Sequence, residues 1–156
     1  MAMDAQDIFN KLKEKFKDNI LEFKDGITPF IKINPKTIIE IASFLSKEDT
    51  FKFNYLMSIA GIDNPENLTV VYHLCSIEYK HRIALKAELS KENPKIHSVM
   101  DIWLGANWHE RETYDLFGII FEGHKDFRRI LLPEDWDGHP LRKDYKFPTE
   151  YKGIKI

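Results

Sequence analysis

Cysteine is nearly absent: Cys75 is the only one among 156 residues. A single thiol excludes an internal disulfide and any zinc or iron–sulfur site built from several thiolates of this chain, so a redox centre that works with it has to lie in another chain. Long hydrophobic runs are missing too. Stretches such as Ile119-Ile120-Phe121 fall far short of the roughly 20 apolar residues that span a bilayer. The opening Met1-Ala2-Met3-Asp4 lacks the charged-then-apolar pattern of a secretory signal, which predicts a place on the cytoplasmic side. Charge of one sign is not in excess: 23 Lys and Arg against 25 Asp and Glu leave a net charge of −2. That balance gives no electrostatic bias toward nucleic acid or an anionic membrane surface. No glycine-rich phosphate loop follows a strand, and no nucleophile elbow is present.

What is present suits one domain with a real core. Asp4 is placed to cap a first helix in which Ile8, Phe9, Leu12 and Phe16 recur at helical spacing. Two short strands are expected within 22–34 around the Asp25-Gly26 turn, with Pro29 assigning the second to an edge or a bulge. Asn34-Pro35 starts a second helix whose buried face is Ile38, Ile41, Ala42 and Leu45. Residues 53–62, 68–76 and 83–88 read as three strands joined by short polar turns, an antiparallel meander. Ser98 with Asp101 resembles a capping box for a short helix ending at Gly105, and Asn107 with Glu110 repeats the device for a helix ending at Gly118. The sum is an α+β fold, helices packed on a largely antiparallel sheet. Residues 1–132 are assigned to this single domain and 133–156 to an irregular, extended C-terminal docking tail.

The densest chemistry lies between Trp108 and Tyr145. His109-Glu110 resembles the start of a zinc-protease helix, but Thr113 stands where the second histidine is needed. His124 and His139 with a carboxylate could bind a metal, although histidines near glycine turns more often bond to backbone. Glu110, Glu112 and Asp115 could act in acid–base pairs, Glu112 and Asp115 standing three apart on a helix; a helix-dipole role and an Arg111–Asp115 ion pair at i,i+4 explain the pattern better. Arg128, Arg129, Arg142 and Lys143 are matched by Asp126, Glu134, Asp135, Asp137 and Asp144, so no basic nucleic-acid stripe results. A segment dense in Arg, Trp, Tyr and paired acids suits a protein–protein interface or a solvated charged loop, and composition divides the two evenly.

The run 108–145 carries Glu110-Arg111-Glu112-x-Tyr114-Asp115-Leu116-Phe117-Gly118, then Gly123-His124-x-Asp126-Phe127-Arg128-Arg129-Ile130-Leu131. It ends on Pro133-Glu134-Asp135-Trp136-x-Gly138-His139-Pro140-Leu141-Arg142-Lys143-Asp144-Tyr145. It resembles the signature of the 30-kilodalton subunit family of respiratory complex I, the bacterial NADH:quinone oxidoreductase. Lys125 and Lys146 depart from it at positions where proline is common, which affects only local turn rigidity. The resemblance implies a cofactor-free scaffold subunit of the peripheral arm, peripheral on the cytoplasmic side of the inner membrane. FMN, iron–sulfur clusters and quinone would be held by neighbouring subunits. Its implied partners are the hydrogenase-like large subunit of the 49-kilodalton type, over which the tail runs, and other peripheral-arm iron–sulfur subunits. The implied contact residues are Glu110, Arg111, Glu112, Tyr114, Asp115, Arg128, Arg129, Trp136, His139, Arg142, Lys143, Asp144 and Tyr145. The same type of subunit would also serve a ferredoxin-, F420H2- or hydrogenase-linked relative, and a stand-alone metal-dependent or acid–base enzyme built on Glu110, Glu112, His124 and His139 is the competing reading.

Overall fold

A computed structural model describes residues 3–156. Helix α1 (Ala5–Phe16) starts where the Asp4 carboxylate accepts the Asp7 N–H at 2.7 Å, and it buries Ile8 and Leu12. Strands β1 (Ile20–Lys24) and β2 (Phe30–Ile33) form an antiparallel hairpin. The Asn34 side chain accepts the Lys36 N–H, and a single 3-10 turn through Pro35 leads into α2 (Ile38–Lys47). The face of α2 that is buried is the one its spacing marks out: Ile38, Ile41, Ala42 and Leu45. The meander follows as β3 (Tyr55–Asp63), β4 (Asn67–Cys75) and β5 (Arg82–Ser90), both pairings antiparallel.

The five strands are ordered β1-β2-β5-β4-β3, and β2 runs parallel to β5. The sheet is therefore mixed, mostly antiparallel, with helices gathered on one face. The expectation that Pro29 puts β2 at an edge is corrected: proline lies just before the strand, and its carbonyl accepts the Ala84 N–H at 3.1 Å. A proline outside the ladder leaves every β2 N–H free to pair, so β2 is internal and β1 takes the edge.

Registry builds the core. Leu68, Val70, Tyr72 and Leu74 of β4 stand beside Leu89, Ala87, Leu85 and Ile83 of β5, and all eight are buried. A bulge at Met57 shifts β3 by one residue, bringing Ile59 and Gly61 onto the same face as Leu56. Gly61 has a packing reason. A Cβ there would stand 2.6 Å from the Phe117 ring, which belongs to helix α3 (Ala106–Phe117). Gly61→Ala is expected to lift that helix off the sheet at a cost of about 1–3 kcal/mol. Urea unfolding of the variant checks this, and an unchanged midpoint would show that Phe117 yields freely.

Two further pairings were not legible. The short strands β6 (Lys95–His97) and β7 (Ile120–Glu122) pair in parallel on either side of α3, and β8 (Glu150–Tyr151) with β9 (Ile154–Lys155) closes a small hairpin in the tail. The short helix expected over 98–105 is replaced by turns, with the Ile102 and Trp103 N–H groups both donating to the Val99 carbonyl.

Candidate functional site

The signature folds into a buried polar network around α3. The helix follows Gly105 with no side-chain cap, and the Asn107–Glu110 capping box does not form. Glu110 instead turns inward, where its carboxylate accepts the Ser98 hydroxyl at 2.6 Å and the Val99 N–H at 2.7 Å. Ser98 in turn accepts the Met100 N–H. The pair expected to start a helix, Ser98 and Asp101, is thus divided between the buried Glu110 and the exposed Lys125. Fully buried acceptors gain more from such donors than an exposed box would supply.

Burial pushes the Glu110 carboxyl up to about 7 against the pull of Ser98 and Val99. The nearest group able to carry positive charge is His124, its Nε2 3.9 Å from Glu110 and both side chains fully buried. The His124 ring is fixed by two bonds: Nδ1 accepts the Asp126 N–H at 3.1 Å while Nε2–H donates to the Asn107 carbonyl at 3.0 Å. Burial, with the Glu110 carboxylate second, also pushes the Tyr72 hydroxyl well above its ordinary value.

One turn and a half further along α3, Asp115 performs a second task. Its Oδ2 accepts the N–H groups of Ile130, Leu131 and Leu132 at 3.1, 2.7 and 2.9 Å, and its Oδ1 accepts Arg129 at 2.7 Å. Burial works to raise this carboxyl, but the Leu132 N–H, Arg129 and the Leu131 and Ile130 N–H groups outweigh it and hold it below the ordinary carboxylate range. Arg111 clasps the same loop, donating Nε to the Arg128 carbonyl and a terminal nitrogen to the Arg129 carbonyl. The i,i+4 ion pair expected between Arg111 and Asp115 is therefore absent, because each finds a partner in the loop. Glu112 and Asp115 are likewise no acid–base pair, one exposed and the other buried.

The tail closes over the end of α3. Gly118, left-handed at φ 73°, ends the helix, and the His139 ring occupies the space a Cβ would need. His139 Nδ1–H donates to the Asp115 carbonyl, the Leu141 N–H to the Leu116 carbonyl and Arg142 Nε to the Phe117 carbonyl. These caps satisfy carbonyls that the helix terminus leaves without partners. The Lys143 N–H reaches Asp63, which also pairs with Lys91. Arg129 forks onto the Trp136 and Gly138 carbonyls, and the Trp136 indole donates to the Tyr145 hydroxyl. Tyr114 packs on Phe127 and His139.

The thirteen residues of the expected contact set thus divide. Glu110, Arg111, Asp115 and Arg129 are engaged inside the chain, and so are the donor groups of His139 and Arg142. Trp136, Tyr114 and Tyr145 are half-buried. Glu112, Arg128, Lys143 and Asp144 are exposed, Arg128 pairing with Asp126. Ser98, Asp63 and Asp126 were missed as members of the network, since nothing in their spacing ties them to α3. His124 and His139 lie on opposite sides of the Phe127–Tyr114 pair, and among the described residues no three His, Cys, Asp or Glu side chains converge on a metal position. No helix among the described residues is long and apolar enough to cross a membrane.

Buried acids and arginines that fix the chain's own loop and tail on a small α+β domain define a structural module with no convergent catalytic or metal cluster among the described residues. The chain belongs to the family described as respiratory-chain NADH dehydrogenase, 30 Kd subunit, which matches residues 31–151. It is 44% identical over 152 residues to the C subunit of NADH-quinone oxidoreductase from Chloroherpeton thalassium, covering 95% of this chain and 63% of that protein. It is also 44% identical over 160 residues to the corresponding protein of Chlorobium phaeobacteroides, covering 99% and 95%. Among solved structures, a trypsin-resistant fragment of Nqo5 superimposes with a TM-score of 0.64 at 29% identity, covering 76% of this chain and 98% of that one. The same fold recurs in a chain of an archaeal membrane-bound sulfane sulfur reductase, with a TM-score of 0.75 at 22% identity.

Proposed function

We propose that this chain is a scaffold subunit of the peripheral arm of an NADH:quinone oxidoreductase, packing against the hydrogenase-like large subunit near the quinone site. FMN, the iron–sulfur clusters and quinone belong to neighbouring chains, and the chain is held at the cytoplasmic face of the membrane through the complex. The observation that carries this reading is the direction of the signature's polar groups. Glu110, Arg111, Asp115 and Arg129 all hold this chain's own backbone, the arrangement of a supporting shell and not of a site that receives a substrate. Exposed Glu112, Arg128, Lys143 and Asp144 and the half-buried anchors Trp136 and Tyr145 supply the contacts with partners.

The test is affinity purification of the tagged chain from its host under conditions that preserve membrane complexes. NADH-dependent quinone reduction is expected to co-purify together with flavin- and iron–sulfur-bearing chains. Recovery of the chain alone, or with none of that activity, would overturn the reading.

A further inference from the structure

We propose that the outer face of α3 and the loop it pins form a docking socket for an apolar segment of another chain that carries an arginine or lysine. The proposal rests on the reading of the chain as a subunit of a larger complex. Leu104, Trp108 and Leu131 are 84%, 69% and 61% exposed, and with Ile130, His109 and Glu112 they line one surface depression of about 470 Å³, in which Glu112 is the one carboxylate. Scattered surface leucines need no explanation, but three large apolar side chains around one concavity mark an interaction site. The loop half of this surface is rigidly presented. Ile130 and Leu131 donate their N–H groups to the buried Asp115 carboxylate, and Arg111 holds the two carbonyls immediately before them. Chain anchored by that many charge-assisted bonds gives up little entropy when a partner binds, which is what an energetic anchor point requires.

Charge selects the occupant. Glu112 follows Trp108 by one helical turn on the same face, lines the depression, and has no cationic partner among the described residues. Arg128, in the loop before Ile130, is engaged with Asp126. A segment that inserts an apolar side chain between Trp108 and Leu131 and sets a cation on Glu112 satisfies both features. A second copy of this chain presenting the same depression would bring a second Glu112 carboxylate into the interface and no cation from this surface, and an anionic bilayer would meet the same repulsion.

The experiment measures rebinding of the purified full-length chain to complex prepared from a strain that lacks it. Trp108→Ala and Leu131→Ala, both at exposed side chains, are expected to weaken binding roughly thirty-fold each, about 2 kcal/mol. Glu112→Gln is expected to weaken it and flatten its salt dependence, and Glu112→Lys to weaken it further. Circular dichroism and urea midpoints unchanged from wild type establish that the variants are folded. If wild type rebinds and the apolar variants do so equally well, the socket is overturned while the subunit reading stands; if wild type itself fails to rebind, it is the subunit reading that falls. Undiminished binding by Glu112→Lys overturns the cationic occupant. Trp108-dependent self-association in sedimentation, or Trp108-dependent binding to vesicles of anionic phospholipid, would replace the proposed occupant by a second copy or a lipid surface.

Discussion

Asp115→Ala is expected to destabilise the isolated chain by about 3–5 kcal/mol, a range typical of a buried pair broken by removing one partner. The carboxylate is fully buried and is the shared acceptor of three consecutive backbone N–H groups and of Arg129. Truncation leaves all four donors without it in a part-buried region, and Arg129 loses its carboxylate partner. Asp115→Asn keeps one acceptor oxygen but no charge and sets an amide NH2 among donors, so it should lose nearly as much. The group's acidity gives a second check. Because its folded value lies below its unfolded one, the stabilisation is present above the ordinary carboxylate value near 3.8 and is lost as pH falls through the folded value. Guanidinium unfolding near neutral pH measures the loss, and a change below about 1 kcal/mol for both variants would mean that the loop holds without its anchor.

Glu110 behaves in the opposite sense. Its folded value of about 7 lies above its unfolded value of 4.5, so the native state binds the proton more tightly. The contribution of Glu110 to stability is therefore greatest below about 4.5 and declines as pH rises toward about 7, by roughly 3 kcal/mol in all. Glu110→Gln should remove this decline: its carbonyl can accept the Val99 N–H and its amide can donate to Ser98, with nothing to ionise. At pH 8 the variant is expected to be the more stable protein, and near pH 4 the two should converge. The carboxylates held low, Asp63, Asp115 and Asp126, titrate below this window and do not mask it. Urea midpoints across pH 4–8 decide the matter. Parallel curves for wild type and Glu110→Gln would show that another group sets the slope.

The two acids occupy one helix five residues apart and differ only in what their burial is matched by. Asp115 meets four donors, one of them a full positive charge. Glu110 meets two neutral donors, the Ser98 hydroxyl and the Val99 N–H. Both residues hold turns in place: the one before α3 in the case of Glu110, the one after β7 in the case of Asp115. That division explains how a run with the composition of an interface also carries buried acids that hold the chain's own turns.

Periodicity was enough for the parts of this protein that neighbours in sequence decide. The Asp4 cap, the buried stripe of α2 and the β3–β4–β5 meander all follow from residues within a few positions of one another, where side-chain direction repeats at 3.6 or 2.0 residues. The family was legible as well, because the run 108–145 is long and specific. Which way the signature's charges point was not. Ser98 and Glu110 are twelve residues apart, Asp115 and Leu132 seventeen, and Asp63 and Lys143 eighty. Nothing local distinguishes a carboxylate aimed at solvent from one aimed at a loop that has yet to fold against it. The short capping boxes lost for the same reason, since a buried carboxylate with distant donors outweighs an exposed one with a near partner. The sequence by itself determined the α+β elements, the absence of a thiolate cluster and the family. Only the tertiary structure decided that β2 lies inside the sheet, that Arg111 and Asp115 serve the loop and not each other, and that Leu104, Trp108 and Leu131 meet at the surface, because each of these depends on chain segments that burial and hydrogen bonding bring together from afar.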